Sequence, residues 1–201
     1  MSAEHTEPDV SEERAWLLRA VLVLVSPRLV FGGIRDDSNH SAHARSEAVL
    51  ALVLLAGTAS ILWTPAYSHL LRDRFVSWDG LLIAVLAFIG SAIYGTAVYW
   101  AGGLLLHAGG ALFRSRASYR QARHVLAFSA APVALSLVLV WPLRLAVYGE
   151  DVFRSGGSDH GAGNSAFVAL DAAFVVWALV LLVIGVRVVF AKSSSSSGGI
   201  S

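Results

Sequence analysis

Two ionisable side chains, Arg144 and Asp171, stand inside stretches otherwise suited to hydrocarbon. Asp171 lies about five residues into the apolar run at 166–190, and Arg144 about four residues before the end of the run at 125–148. A helix rises about 1.5 Å per residue, so the two sit at similar depth. A short loop joins the runs, which makes them antiparallel neighbours and predicts an Arg144–Asp171 ion pair. A charge inside a span is costly and marks either function or a pinned contact. The pair therefore reads as a structural link between two helices, or as a polar site on an ion or proton path.

Other side chains offer less chemistry. There is no cysteine, which excludes disulfides, thiolate zinc sites and cysteine nucleophiles. His40 and His43 are three apart in a polar stretch, but no third ligand has suitable spacing, so no metal site is expected. His107 stands alone near a helix end. Ser129 and Ser136 lie in an apolar run, where serine hydroxyls bond their own helix carbonyls. No nucleophile–base set, paired carboxylates or phosphate loop is present, so neither an enzyme nor a cofactor is expected. A net charge of +1 gives no support for nucleic acid.

The elements that hold these residues are membrane spans. The chain is 56% hydrophobic and 14% charged, against about 25% charged in a soluble domain. Its charges collect in short clusters. The fold class expected is an all-α membrane helical bundle with four spanning helices and an N-terminal interfacial amphipathic helix. Trp16–Val25 is too short to cross about 30 Å of hydrocarbon and carries Arg19, so it reads as a helix lying at the interface, with a partly inserted helix of the bundle as the alternative. A polar loop follows over 32–45. The spans are 48–67, with Trp63 and Tyr67 at the headgroup level and Pro65 loosening the last turn; 81–113; 125–148; and 166–190. Leu81–Phe113 exceeds one crossing, so it either tilts strongly or, the favoured reading, projects its last turns into the cytoplasm. Pro132 kinks or splits the third span. Ser91 and Gly95 form a small-xxx-small step, and with Gly102 and Gly103 they predict close helix packing inside the bundle. Exposure of that small-residue face would instead indicate a subunit of a larger membrane complex.

Charge orients the bundle. The side carrying the N-terminus, the 114–124 connector and the C-terminus holds eleven Lys and Arg, and the other side holds four. Both termini are therefore expected in the cytoplasm. The connector residues Arg114, Arg116, Arg120 and Arg123 are candidate contacts for anionic headgroups. Residues 1–13 read as a disordered acidic tail with no secretory signal, and 191–201 as a flexible Ser/Gly tail. Fourteen arginines against one lysine point to a GC-rich bacterial genome, and so to the inner (cell) membrane.

Three segments carry a resemblance to a known family. Ser26-Pro27-Arg28-Leu29-Val30-Phe31 precedes the first span. Ser118-Tyr119-Arg120-Gln121 follows a long glycine-rich helix. Val125-Leu126-Ala127-Phe128-Ser129-Ala130-Ala131-Pro132 brings an aromatic and then a proline into the next helix. In this order the chain resembles the prokaryotic, multi-pass branch of the Yip1 domain family, over residues 14–190. The resemblance implies a multi-span helical bundle with no catalytic residues. Eukaryotic members act in vesicle traffic with Rab-type GTPases, but their acidic N-terminal motif is not evident here, so no GTPase partner follows. The function expected is a non-enzymatic scaffold or membrane-organising, trafficking-like factor, with lipid and another membrane protein as partners. The alternative is a small transporter or channel using Arg144 and Asp171.

Overall fold

The computed structural model describes residues 18, 21–36, 38–63, 80–113, 115–149 and 161–190, with backbone only at 40, 41, 44, 80–84 and 87. The two tails, Arg114, Pro65 and Tyr67 lie outside the described residues. Among the described residues, after a helical stretch at 21–25, the helices in order are α1 (Pro27–Ile34), α2 (Asn39–Leu62), α3 (Gly80–Leu112), α4 (Tyr119–Ser129), α5 (Ala131–Tyr148) and α6 (Ala162–Phe190). No strand occurs among the described residues. Among the described residues four helical stretches are long and apolar enough to cross a membrane: α2, α3, α4 with α5, and α6.

Burial departs from the pattern of a soluble protein at the surface and at a few core positions. Leu50, Ile93, Leu139, Val176 and Val180 are exposed, while Arg45, Ser91, His124 and Ser136 are buried. Lipid is as apolar as leucine, so large aliphatic side chains lose nothing by facing outward. The α4–α5 stretch is the centre of the bundle, with 56% of its apolar window buried; α3 and α6, at 17% and 11%, are peripheral. α2 packs against α3 and α5, and α6 packs against α5, α4 and α1.

The third span is split, and the break falls at Ala130. Ala130 ends α4 and precedes α5, its N–H reaching back to Leu126 and Ala127. Pro132 is in the first turn of α5, where a missing N–H costs nothing. α4 opens on a capping box: Ser118 Oγ accepts from Gln121 N, and Gln121 Oε1 accepts from Ser118 N.

Near the N-terminus the helical structure runs further than the sequence suggests. Residues 21–25 are helical, the chain bends at Ser26, and α1 continues to Ile34. α2 then begins at Asn39, so the polar loop expected over 32–45 shrinks to a few residues. The physical reason is local. Pro27 sets the first turn of α1, and Phe31 and Ile34, one turn apart, are fully buried. The last span likewise starts at Ala162, since Gly161 at φ 101° turns the chain into it.

Candidate functional site

Polar side chains form two clusters at opposite ends of the bundle. The proximal end carries α1 and the C-terminus of α6; the distal end carries the C-termini of α2 and α5.

At the distal end, Arg144 Nη1 lies 3.7 Å from Asp171 Oδ2, and both side chains are largely enclosed. The expected neighbours do meet. The pair is loose, because Arg144 divides its donors. Nη2 donates to Asn164 Oδ1 at 3.0 Å, and the guanidinium lies between the rings of Phe167 and Trp141, 5.7 and 6.0 Å away. Trp63 lies beside the Asp171 carboxyl but outside hydrogen-bond geometry. Three buried polar atoms here, Arg144 Nε, Asp171 Oδ1 and Trp63 Nε1, have no hydrogen-bond partner among the described residues. Each such atom costs roughly 1–3 kcal/mol if left unmet. The side chains that carry them line a groove of about 540 Å³ whose wall is completed by Asn164, Val168, Ala172 and Val175. Sequence spacing found Arg144 and Asp171. It missed Trp63 and Asn164 as their neighbours, although Trp63 marked the end of a span.

The proximal cluster is a clasp on the end of α1. Arg45, buried in α2, donates to Gly33 O at 2.8 Å and Asp36 O at 2.7 Å. Gln121 of α4 donates to Ile34 O and Arg35 O. Arg35 in turn donates to Val188 O of α6 at 2.8 Å, and Arg120 to Asn39 Oδ1. The last carbonyls of a helix need outside partners, and three other helices meet here through side chains. Sequence reading used Arg45 only as a topological charge. In the sequence it stands at the edge of the polar stretch before the first span, so the criterion that singled out Asp171, a charge inside an apolar run, does not reach it.

The connector arginines are divided. Arg116 is exposed. Arg123 has its guanidinium over Trp100 at 4.0 Å, Tyr119 at 4.7 Å and Tyr99 at 5.3 Å. Tyr119 Oη donates to Trp100 O, which closes the stack. Arg120 and Arg123 therefore tie α4 to α2 and α3, because α4 begins within the segment expected as a connector.

The small residues lie at crossings. A Cβ on Gly95 would meet Val53 O at 2.5 Å, and one on Gly57 would meet Ser91 O at 2.7 Å. Ser91 and Gly95 thus face α2 within the chain, with Gly57 as their counterpart. Gly102 and Gly103 abut Leu126 and Arg123 of α4.

The clusters are separated by one bilayer. Arg45 to Trp63 on α2, Asp171 to Arg187 on α6 and Arg123 to Arg144 along α4–α5 span roughly 24–31 Å at 1.5 Å per residue. The hydrocarbon core is about 30 Å thick. Each cluster therefore stands at a boundary, where charges reach headgroups.

No curated protein and no solved structure matches the chain. The Yip1 domain model matches residues 21–200, which include the clasp, all four spans and the distal groove. On that match the chain belongs to the Yip1 domain family.

Proposed function

We propose that the chain is a non-enzymatic membrane-organising protein of the bacterial cell membrane, with both termini cytoplasmic. In this reading it holds a short amphipathic helix in one leaflet. The observation that carries the reading is the clasp at the proximal end. Residues 21–25 and α1 turn Val23, Phe31 and Ile34 into the bundle and leave Val21, Leu22, Val25 and Leu29 exposed. α1 has eight residues, about 12 Å, and cannot cross the bilayer. Its apolar face therefore adds area to one leaflet only. Arg45, Gln121 and Arg35 fix it to three helices, so the wedge is held rigidly. The Lys and Arg excess at this end supports a cytoplasmic position, and exposed Arg28 and Arg116 suit an anionic leaflet. The described serines of the central span support a non-catalytic role, since Ser129 and Ser136 bond Val125 O and Val133 O.

Reconstitution tests this. Purified protein in liposomes is expected to shift vesicles to smaller diameters by electron cryomicroscopy. The double variant L22E/L29E, changed only at exposed positions, is expected not to. Equal diameters with both proteins would remove the reading.

A second reading, a small transporter or channel, is favoured by the groove that reaches Asp171. It predicts ion or proton flux in the same liposomes that D171N abolishes, whereas the first reading predicts none.

A further inference from the structure

The distal groove lies at the other end of the bundle from the wedge, and what it holds is a separate question. Its polar atoms are of two kinds. Arg144 Nε and Trp63 Nε1 are donors, and Asp171 Oδ1 is an acceptor; all three are buried without a hydrogen-bond partner among the described residues. The guanidinium and the carboxylate are 3.7 Å apart, beyond hydrogen-bond contact, so neither consumes the other. The site is neutral as a whole but split in charge. A simple anion would meet Asp171, and a simple cation would meet Arg144. A zwitterion answers both, with an acidic group on Arg144 and Trp63 and an ammonium on Asp171.

We propose that this groove binds the phosphoethanolamine headgroup of a membrane phospholipid. Its volume, about 540 Å³, accommodates a headgroup. The wall is apolar along Val168, Ala172 and Val175, and Val168 is 54% exposed on the outer face of α6. A lipid can therefore enter sideways and leave its acyl chains against α6. The depth is right for a lipid, because Asp171 and Arg144 lie one hydrocarbon thickness from the proximal arginines. A primary ammonium can donate to the Asp171 carboxylate, whereas a trimethylated choline cannot. The groove thereby separates two headgroups that share a phosphate.

The test uses the full chain in nanodiscs of equimolar phosphatidylethanolamine and phosphatidylcholine, with native mass spectrometry counting retained lipid. The intact chain is expected to retain ethanolamine lipid about tenfold over choline lipid, the ratio that one charge-assisted hydrogen bond supplies. D171N is expected to bring that ratio near one, and A172F, which fills the groove without touching the charged pair, to release both lipids. Equal retention by the intact chain, or preference surviving in D171N, would overturn the proposal. If D171N fails to fold, unchanged preference in A172F overturns it. Phosphatidylglycerol displacing the ethanolamine lipid would leave Arg144 alone in control, against the zwitterion. Displacement by free O-phosphoethanolamine at millimolar concentration would make the ligand a soluble zwitterion and overturn the lipid assignment.

Discussion

Arg45 and Arg144 show two uses of one side chain in an apolar bundle. Arg45 is 8% exposed and spends two nitrogens on carbonyls that end α1. Arg45→Ala removes charged donors from those carbonyls and is expected to cost about 2–4 kcal/mol, read as a lower melting temperature in detergent. Arg45→Lys keeps the charge but loses the fork, and should recover less than half. Arg144 has a weaker hold on its acid at 3.7 Å. Either single charge reversal, R144D or D171R, places like charges together, whereas the swapped pair restores opposite signs. The double variant is expected to regain most of the stability lost by each single one. If it is no better than the singles, the two groups are not coupled. Arg144 was visible as a charge in an apolar run; Arg45, in the polar stretch before the first span, was not. What each one touches was hidden too, because its partners lie on other helices.

Crossings between helices depend on small residues, and space divides the glycines into two groups. Gly57 and Gly95 face backbone atoms that cannot move aside, so Gly95→Val should separate α2 from α3 and cost about 1–3 kcal/mol. Gly90 and Gly109 have nothing within 4 Å of an added Cβ. Alanine at either is expected to be neutral or to stabilise by up to about 1 kcal/mol, since it favours helix. Thermal unfolding of the three variants in one detergent checks the contrast, and an equal loss at all three would refute it. The Ser91–Gly95 step was legible from spacing, but its counterpart Gly57 was not, since any small residue on any span could have answered it. The α4–α5 break was legible from Pro132 to within two residues. The start of α4 could also be read, because Ser118 and Gln121 have the spacing of a capping box.

Between its two polar clusters the bundle presents one bilayer thickness of apolar surface, and this makes topology testable. The chain has no cysteine, so single cysteines report without background. Ser38→Cys and Arg116→Cys, at the proximal end, are expected to react with an impermeant maleimide only after the cytoplasmic side is opened. Gly161→Cys, at the distal end, should react in intact cells. Labelling of all three from one side would break the four-span arrangement. On the proposed topology the wedge sits in one leaflet and the headgroup groove at the other, so the two proposed activities would act on opposite faces of one membrane.

By itself the sequence determined what a bilayer demands. Four runs are long enough to cross, and Arg144 and Asp171 fall at one depth because rise per residue is constant; the charges at the ends of the runs predict an orientation. Beyond the Ser91–Gly95 step and the Arg144–Asp171 pair, it placed no face of any span. A transmembrane helix is apolar all round, so hydrophobic periodicity, which marks the buried side of a soluble helix, is nearly absent here. Only the tertiary structure decided that Gly57 meets Gly95, that Arg123 enters a ring of three aromatics and that Arg45 closes the end of α1. It also surrounded the Arg144–Asp171 pair with Trp63 and Asn164, which turned two expected charges into a groove. Those outcomes follow from shape complementarity and from unmatched backbone carbonyls, and both exist only once the helices are side by side.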